Sequence, residues 1–202
     1  MAALNLADAA NACALKTMKA DDARDFRSFA RIDMASITAW HTILMTDYRH
    51  NRVPGGTFFF TVRLLDRNGT LLTDHFSAFG EAMRQARSQR PFHIDAWVVL
   101  PDHAHAIWTL PRGDHDCASR WRAVKIAFSK ALRKAAASPD SAIWEPHYLH
   151  HRVTSEFEYG ELVEYVHGNP LRHGLCVEAA DWQWSSLHRF AAAGWLRPKC
   201  QA

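Results

Sequence analysis

The stretch from His93 to Pro111, HIDAWVVLPDHAHAIWTLP, restricts the fold more than any other part of the chain. Two runs rich in β-branched, aromatic and small apolar residues, 93–100 and 103–110, are hinged on Pro101-Asp102, a tight-turn pair, and read as an antiparallel hairpin. The apolar blocks Val98 to Leu100 and Ile107 to Leu110 place that hairpin in the buried centre of a sheet. Alternate residues on a strand share a face, so His103 and His105 stand side by side, where paired imidazoles grip one divalent metal. An isolated HxH reads more plainly as two partly exposed histidines. Burying two unpartnered imidazoles is costly, however, and the apolar flanks favour a site.

The remaining elements frame this hairpin. After the turn signal Pro54-Gly55-Gly56, TFFFTVRLL at 57–65 predicts a buried strand closed by Asp66-Arg67-Asn68-Gly69. Asp74 is placed to cap a helix over 75–88, with Phe76, Phe79, Met83 and Ala86 inward and Arg90-Pro91 as its stop. Ser119 is placed to cap a helix reaching about Ala137, with Trp121, Val124, Phe128 and Leu132 inward. Its other surface carries Arg120, Arg122, Lys125, Lys130, Arg133 and Lys134 and no acid, which makes it a candidate phosphate-facing helix. A fourth strand is expected over 147–153. Ser155 then caps a last helix whose first turns hold Glu156, Glu158 and Glu161 at the positive dipole end. Pro170 predicts its stop near Asn169. The order β-α-β-β-α-β followed by a helix is the ferredoxin-like α+β pattern: an antiparallel sheet, helices on one face, and a C-terminal helix to carry chemistry.

Composition sets the outer limits. The 202 residues are 48% apolar and 22% charged, ordinary globular values that fit neither a disordered chain nor a coiled coil. No apolar run reaches the roughly 18 residues of a membrane span. Cys13, Cys117, Cys176 and Cys200 form no CxxC pair, which argues against a disulfide framework or a zinc finger and suits a reducing cytoplasm. Thirteen His and eight Trp are the unusual counts, and they direct attention to site chemistry and stacking. Residues 1–44 differ from the rest: Ala-rich, without net charge, and without a strand-like run. They are expected to be a poorly ordered extension or a mis-assigned start, with Met45 as the natural one and 45–202 as the functional domain. The full net charge of +3 then resides in 45–202, mildly basic and compatible with nucleic acid.

Tyr165 and Asn169 in VEYVHGNP lie four residues apart, on one face of the last helix. An asparagine amide supplies an oxygen ligand and a phenol can act as nucleophile. A surface tyrosine and a helix-stop asparagine are the bland alternative. The pieces become one site only if this helix packs on the sheet face that bears His103 and His105. Around them, Arg172 and His173 are candidate phosphate contacts with a solvated loop as the alternative. His147, His150 and His151 are read as exposed or DNA-facing, and Trp182 and Trp184 as base-stacking or packing residues.

YRHNRVPGGTFFFTV at 48–62, HIDAWVVLPDHAHAIWTLP at 93–111, SRWRAVKIAFSK at 119–130, VEYVHGNPLRHGLC at 163–176 and ADWQWSSLHRF at 180–190 closely resemble the REP-associated tyrosine transposases. These are single-strand insertion-sequence transposases of the HUH class, and the resemblance spans about 48–196 in order and spacing. It implies a ferredoxin-like fold, a metal site from His103 and His105 with Ala104 between them, Tyr165 as catalytic tyrosine, and Asn169 as third, amide ligand. The implied reaction is cleavage and rejoining of single-stranded DNA with a REP-like hairpin through a 5′-phosphotyrosine intermediate. The implied cofactor is Mg²⁺ or Mn²⁺; imidazole donors suit Mn²⁺ better than Mg²⁺. Arg120, Arg122, Lys125, Lys130 and Arg172 are the expected DNA contacts. A bacterial, cytoplasmic and nucleoid-associated monomer or homodimer without membrane contact is expected. A hairpin-binding regulator without catalysis, and a metal phosphoesterase that uses water, are the rival readings. Glu145-Pro146-His147, where relatives often carry a more basic run, is the departure from the family pattern.

Overall fold

The chain's structure is a computed structural model that describes residues 55–135 and 142–192; the expected extension over 1–44 and the Met45 start lie outside these residues. Strand β1, Thr57–Arg63, is buried from Phe58 to Val62 on both faces. A strand covered on both sides reads as an unbroken apolar run rather than an alternating one, which is why TFFFTV forms the middle of the sheet. Strand β1 pairs antiparallel with β3, His103–Thr109, and with β4, Leu149–Arg152. Strand β2, His93–Val99, pairs with β3 to complete the expected hairpin and the order β2-β3-β1-β4. This is the ferredoxin-like arrangement.

Between these strands run the short helix α1, Leu71–Asp74, then α2, Phe76–Gln89, and α3, Cys117–Lys134. Phe58, Phe60, Val62, Ala104, Ala106 and Trp108 point to one face and pack with Phe79, Ala82 and Ala86 of α2 and Trp121, Val124, Phe128 and Leu132 of α3. Each of the large side chains contributes about 1.5–3 kcal/mol of burial. Phe59, Ala96, Val98, Leu100 and Ile107 point to the other face. They pack with Leu162, Val163 and Val166 of α4, Glu156–Arg172. Helices α2 and α3 thus share one face as expected, and the C-terminal helix takes the opposite one.

Three local expectations are corrected. Asp74 does not cap α2: it ends α1 and accepts from Thr70 Oγ1 at 2.6 Å, and His75 takes the N-cap position without a side-chain bond. Helix α3 begins earlier because Asp116, not Ser119, is its cap; Asp116 Oδ1 accepts from the Ser119 amide at 2.9 Å. Helix α4 does begin at the Ser155 cap, whose Oγ accepts from the Glu158 amide at 3.2 Å, but it continues through Pro170 to Arg172. An internal proline removes one helical bond and crowds the preceding turn. The bond removed is the one to the Val166 carbonyl; one residue before it, the Tyr165 carbonyl accepts from Asn169 Nδ2 at 3.1 Å and Arg172 Nη1 at 3.3 Å.

The outer side of β2 is not left open. The Val99 amide donates to the Trp184 carbonyl at 2.9 Å and the Ser186 amide to the Trp97 carbonyl at 2.9 Å, ahead of helix α5, Leu187–Ala192. Covering an edge in this way prevents it from templating other chains. Trp182, in the same segment, is buried and donates Nε1 to the Val99 carbonyl at 2.9 Å, which makes it a packing residue.

Candidate active site

The strand register builds the site. Thr61 lies opposite His105 and Arg63 opposite His103, so all four side chains emerge on the α4 face of the sheet. Both histidines are buried. His105 Nδ1 is 2.8 Å from Thr61 Oγ1, and His103 Nδ1 is 2.7 Å from Asp102 Oδ1, whose other oxygen lies 3.0 Å from Arg67 Nε. An oxygen on Nδ1 of each ring fixes its orientation and leaves Nε2 for a ligand, the usual support for a metal-binding histidine. The rings are 5.0 Å apart, nearly perpendicular. Burial holds the His105 imidazole well below its ordinary pKa, reinforced by His103, Arg63 and His173. Burial pushes the Asp102 carboxyl upward, but His103 and Arg67 outweigh it and hold it below the usual carboxylate range.

Helix α4 brings the other two expected residues to this face. The Tyr165 ring packs edge-on at 5.3 Å from His105 and 5.8 Å from Phe59. Asn169 is buried one turn later; with Nδ2 engaged on the Tyr165 carbonyl, its amide lies within hydrogen-bonding reach of His105. Arg172 stacks its guanidinium 4.8 Å above the Tyr165 ring. His173, the C-cap of α4, sits 5.0 Å from His103, and burial lowers its pKa.

Among the described residues no three His, Cys, Asp or Glu side chains converge as a metal set. The nitrogen and oxygen donors that do converge are two imidazoles, each with Nδ1 supported, and a buried amide. Such a donor set suits a borderline divalent ion better than a hard one that demands carboxylates.

Several expected contacts fall elsewhere. Arg120 is corrected from a phosphate-facing residue to a structural one: it is 1% exposed, and its guanidinium donates to Asp114 Oδ2 at 2.6 Å and to the carbonyls of Pro91, Asp116 and Arg90. It stands four residues before Val124 and so shares the inward stripe of α3. Lys125 is half-buried, donates to the Glu145 carbonyl at 2.8 Å and lies over Trp144 and Tyr148. Arg122 and Lys130 are exposed on α3, in the layer on the far side of the sheet from the histidines. His151 is buried and hydrogen-bonded to Glu158 rather than exposed, and His150 stacks on Phe60. Thr61, Arg63 and Arg67 are site residues that the linear pattern did not single out. The signal for Thr61 and Arg63 was the alternation of β1 with Phe59, Thr61 and Arg63 on one face, which gains meaning only once β1 is paired with β3; Arg67, in the loop after β1, had none.

Fold and site together define an HUH-type α+β protein: a ferredoxin-like sheet whose central strand presents paired histidines to a helix bearing tyrosine. No family model matches the chain. It is 41% identical over 150 residues to the REP-associated tyrosine transposase of Escherichia coli K12, covering 74% of this chain and 87% of that protein. A relative of the same family in Haemophilus influenzae is 32% identical over 153 residues, covering 72% and 87%. The structure of a REP-associated tyrosine transposase bound to a REP hairpin superposes with a TM-score of 0.70 at 40% identity, covering 78% of this chain and 92% of that one. The chain belongs to the REP-associated tyrosine transposases, and so to the DNA transposases.

Proposed function

We propose that this chain cleaves and rejoins single-stranded DNA carrying a REP-like hairpin, with Tyr165 as the nucleophile. The observation that carries this reading is the edge contact of Tyr165 with His105, with Asn169 one turn further on the same helix. A phenol has a pKa near 10 and attacks a phosphodiester slowly unless it is held in line. Here Phe59, His105 and Arg172 enclose the ring on three sides, which limits its rotation. In the reaction the Tyr165 Oη–P bond forms as the P–O3′ bond breaks; the phenol gives up its proton and the departing 3′-oxygen takes one. The resulting 5′-phosphotyrosine conserves the bond energy, so a 3′-hydroxyl can reverse the step and reseal the strand without ATP.

His103, His105 and Asn169 are the residues that would hold Mg²⁺ or Mn²⁺. When bound, the ion supplies Lewis-acid charge to the non-bridging oxygens of the scissile phosphate. Thr61 and Asp102 then act as orienting groups that present Nε2 of each ring. Arg172 lies over the Tyr165 ring, and its half-buried guanidinium is placed to meet a phosphate there. Arg122 and Lys130 supply phosphate contacts for more distant parts of the DNA. Among the described residues no helix is long and apolar enough to cross a membrane.

A 3′-labelled hairpin oligonucleotide with a single-stranded flank tests the reading. Wild-type protein should yield a denaturation-resistant adduct that retains the label, and Tyr165→Phe should bind the same DNA and yield none. An adduct of full yield from Tyr165→Phe would remove Tyr165 as nucleophile. Multiple turnovers of cleavage without any adduct would indicate water as the attacking group.

A further inference from the structure

The charged groups around the histidine pair are mainly cationic, while the donors themselves are neutral. Arg63 faces His103 across the β1–β3 register and its charge bears on His105; its Nε is buried without a hydrogen-bond partner among the described residues. Arg67 reaches Asp102 at 3.0 Å, on the side of His103 away from the ligand nitrogen. Arg172 lies above the Tyr165 ring. Against these three guanidinia stand Asp102 and Glu164, the latter close enough to Arg172 to offset part of its charge. Neither carboxylate is in the donor set.

Two imidazoles and an amide bring no negative charge to a divalent ion. Like charges inside a protein repel far more strongly than in bulk water, so the guanidinia oppose the arrival of a bare metal. The same guanidinia attract a phosphodiester, whose oxygens are the missing anionic ligands. An orphaned buried donor such as Arg63 Nε is a group for which a native partner is expected.

We propose that Arg63 and Arg172 form a guanidinium cradle for the scissile phosphodiester, with Arg67 adding positive charge behind His103, and that the divalent ion is held strongly only when that phosphate is in place. Metal and DNA are therefore mutually dependent ligands of this chain, each raising the affinity of the other by the same factor, as linkage requires. This coupling keeps the free protein largely metal-free and confines metal loading to the DNA complex. The inference rests on His103, His105 and Asn169 as the ligand set.

The test is a Mn²⁺ titration followed by electron paramagnetic resonance, in the Tyr165→Phe background so that no cleavage intervenes. It is run on the protein alone and with a flanked hairpin oligonucleotide selected from a random pool for binding to the metal-free protein. Only the Mn²⁺ binding that is lost on His105→Ala is counted. DNA should lower the Mn²⁺ dissociation constant by roughly tenfold or more. Arg63→Gln and Arg67→Gln, each removing one positive charge, should tighten Mn²⁺ on the DNA-free protein and shrink the enhancement by DNA. Equal Mn²⁺ affinity with and without DNA would overturn the coupling, as would Gln variants that leave DNA-free Mn²⁺ binding unchanged or weaker. Mn²⁺ binding in the DNA complex that survives His105→Ala undiminished would instead overturn the ligand set and, with it, the premise.

Discussion

Replacing Arg120 by Met separates a structural arginine from a DNA contact. The substitution keeps a chain of similar reach but deletes the guanidinium, leaving the carbonyls of Arg90, Pro91 and Asp116 and one Asp114 oxygen without their donor. Breaking a fully buried ion pair costs about 3–5 kcal/mol. Asp114 is one-third exposed and can rehydrate, which lowers that toll. The three carbonyls cost about 1 kcal/mol each where water cannot reach them. A loss of roughly 3 kcal/mol follows, which for a domain of this size is a fall in Tm of about 6–12 °C. Acid titration gives a second readout. Arg120 holds Asp114 at about 2 against an ordinary 3.8. A depressed carboxylate contributes stability above its unfolded pKa and loses it as pH falls through the folded one. Wild type should therefore lose stability between about pH 4 and pH 2, and Arg120→Met should show a shallower loss over that window. Differential scanning calorimetry from pH 7 to pH 2, with hairpin affinity measured well below the variant's Tm, checks both. An unchanged Tm together with weakened, less salt-dependent DNA binding would refute the structural assignment and return Arg120 to the DNA surface.

Thr61→Val keeps the shape of β1 but removes the oxygen on His105 Nδ1. Cleavage should fall by about 10–100-fold with little change in hairpin affinity, and an unaltered single-turnover rate would show that this support is dispensable. The double variant Arg122→Gln/Lys130→Gln changes exposed groups on the far layer. It should leave the single-turnover rate at saturating DNA intact while reducing the salt slope of binding by about two; a slowed chemical step would contradict that placement. Asp102→Asn removes the charge shared by His103 and Arg67. It should lower the cleavage rate more than DNA affinity, and an equal loss in both would mean that Asp102 only holds the loop.

Most of the framework was legible because it rests on local periodicity. The hairpin around Pro101-Asp102, the two-residue spacing of His103 and His105, the Ser155 cap and the four-residue spacing of Tyr165 and Asn169 depend on neighbours within a turn or two, and each stands where expected. Where local rules misplaced a boundary, competing groups nearby were responsible. Asp116 offered a better cap than Ser119, and α4 gives up the one bond to the Val166 carbonyl and runs on through Pro170 to Arg172.

The amino-acid sequence by itself thus determined the four strands, the three longer helices and their order, and it held the spacings of His103 with His105 and of Tyr165 with Asn169; the short helices α1 and α5 went unmarked. Tertiary structure alone decided that α4 lies on the histidine face, and that Thr61 and Arg63 stand opposite residues forty or more positions away. It also decided the fate of each arginine. Helical periodicity fixes which side of α3 Arg120 occupies, but whether a guanidinium there meets solvent or carbonyls depends on the Arg90-Pro91 and Asp114–Asp116 segments folding over it. Contacts between segments distant in the chain leave no periodic trace in either one, because each is shaped by its own backbone geometry and only the packed layers bring their side chains together.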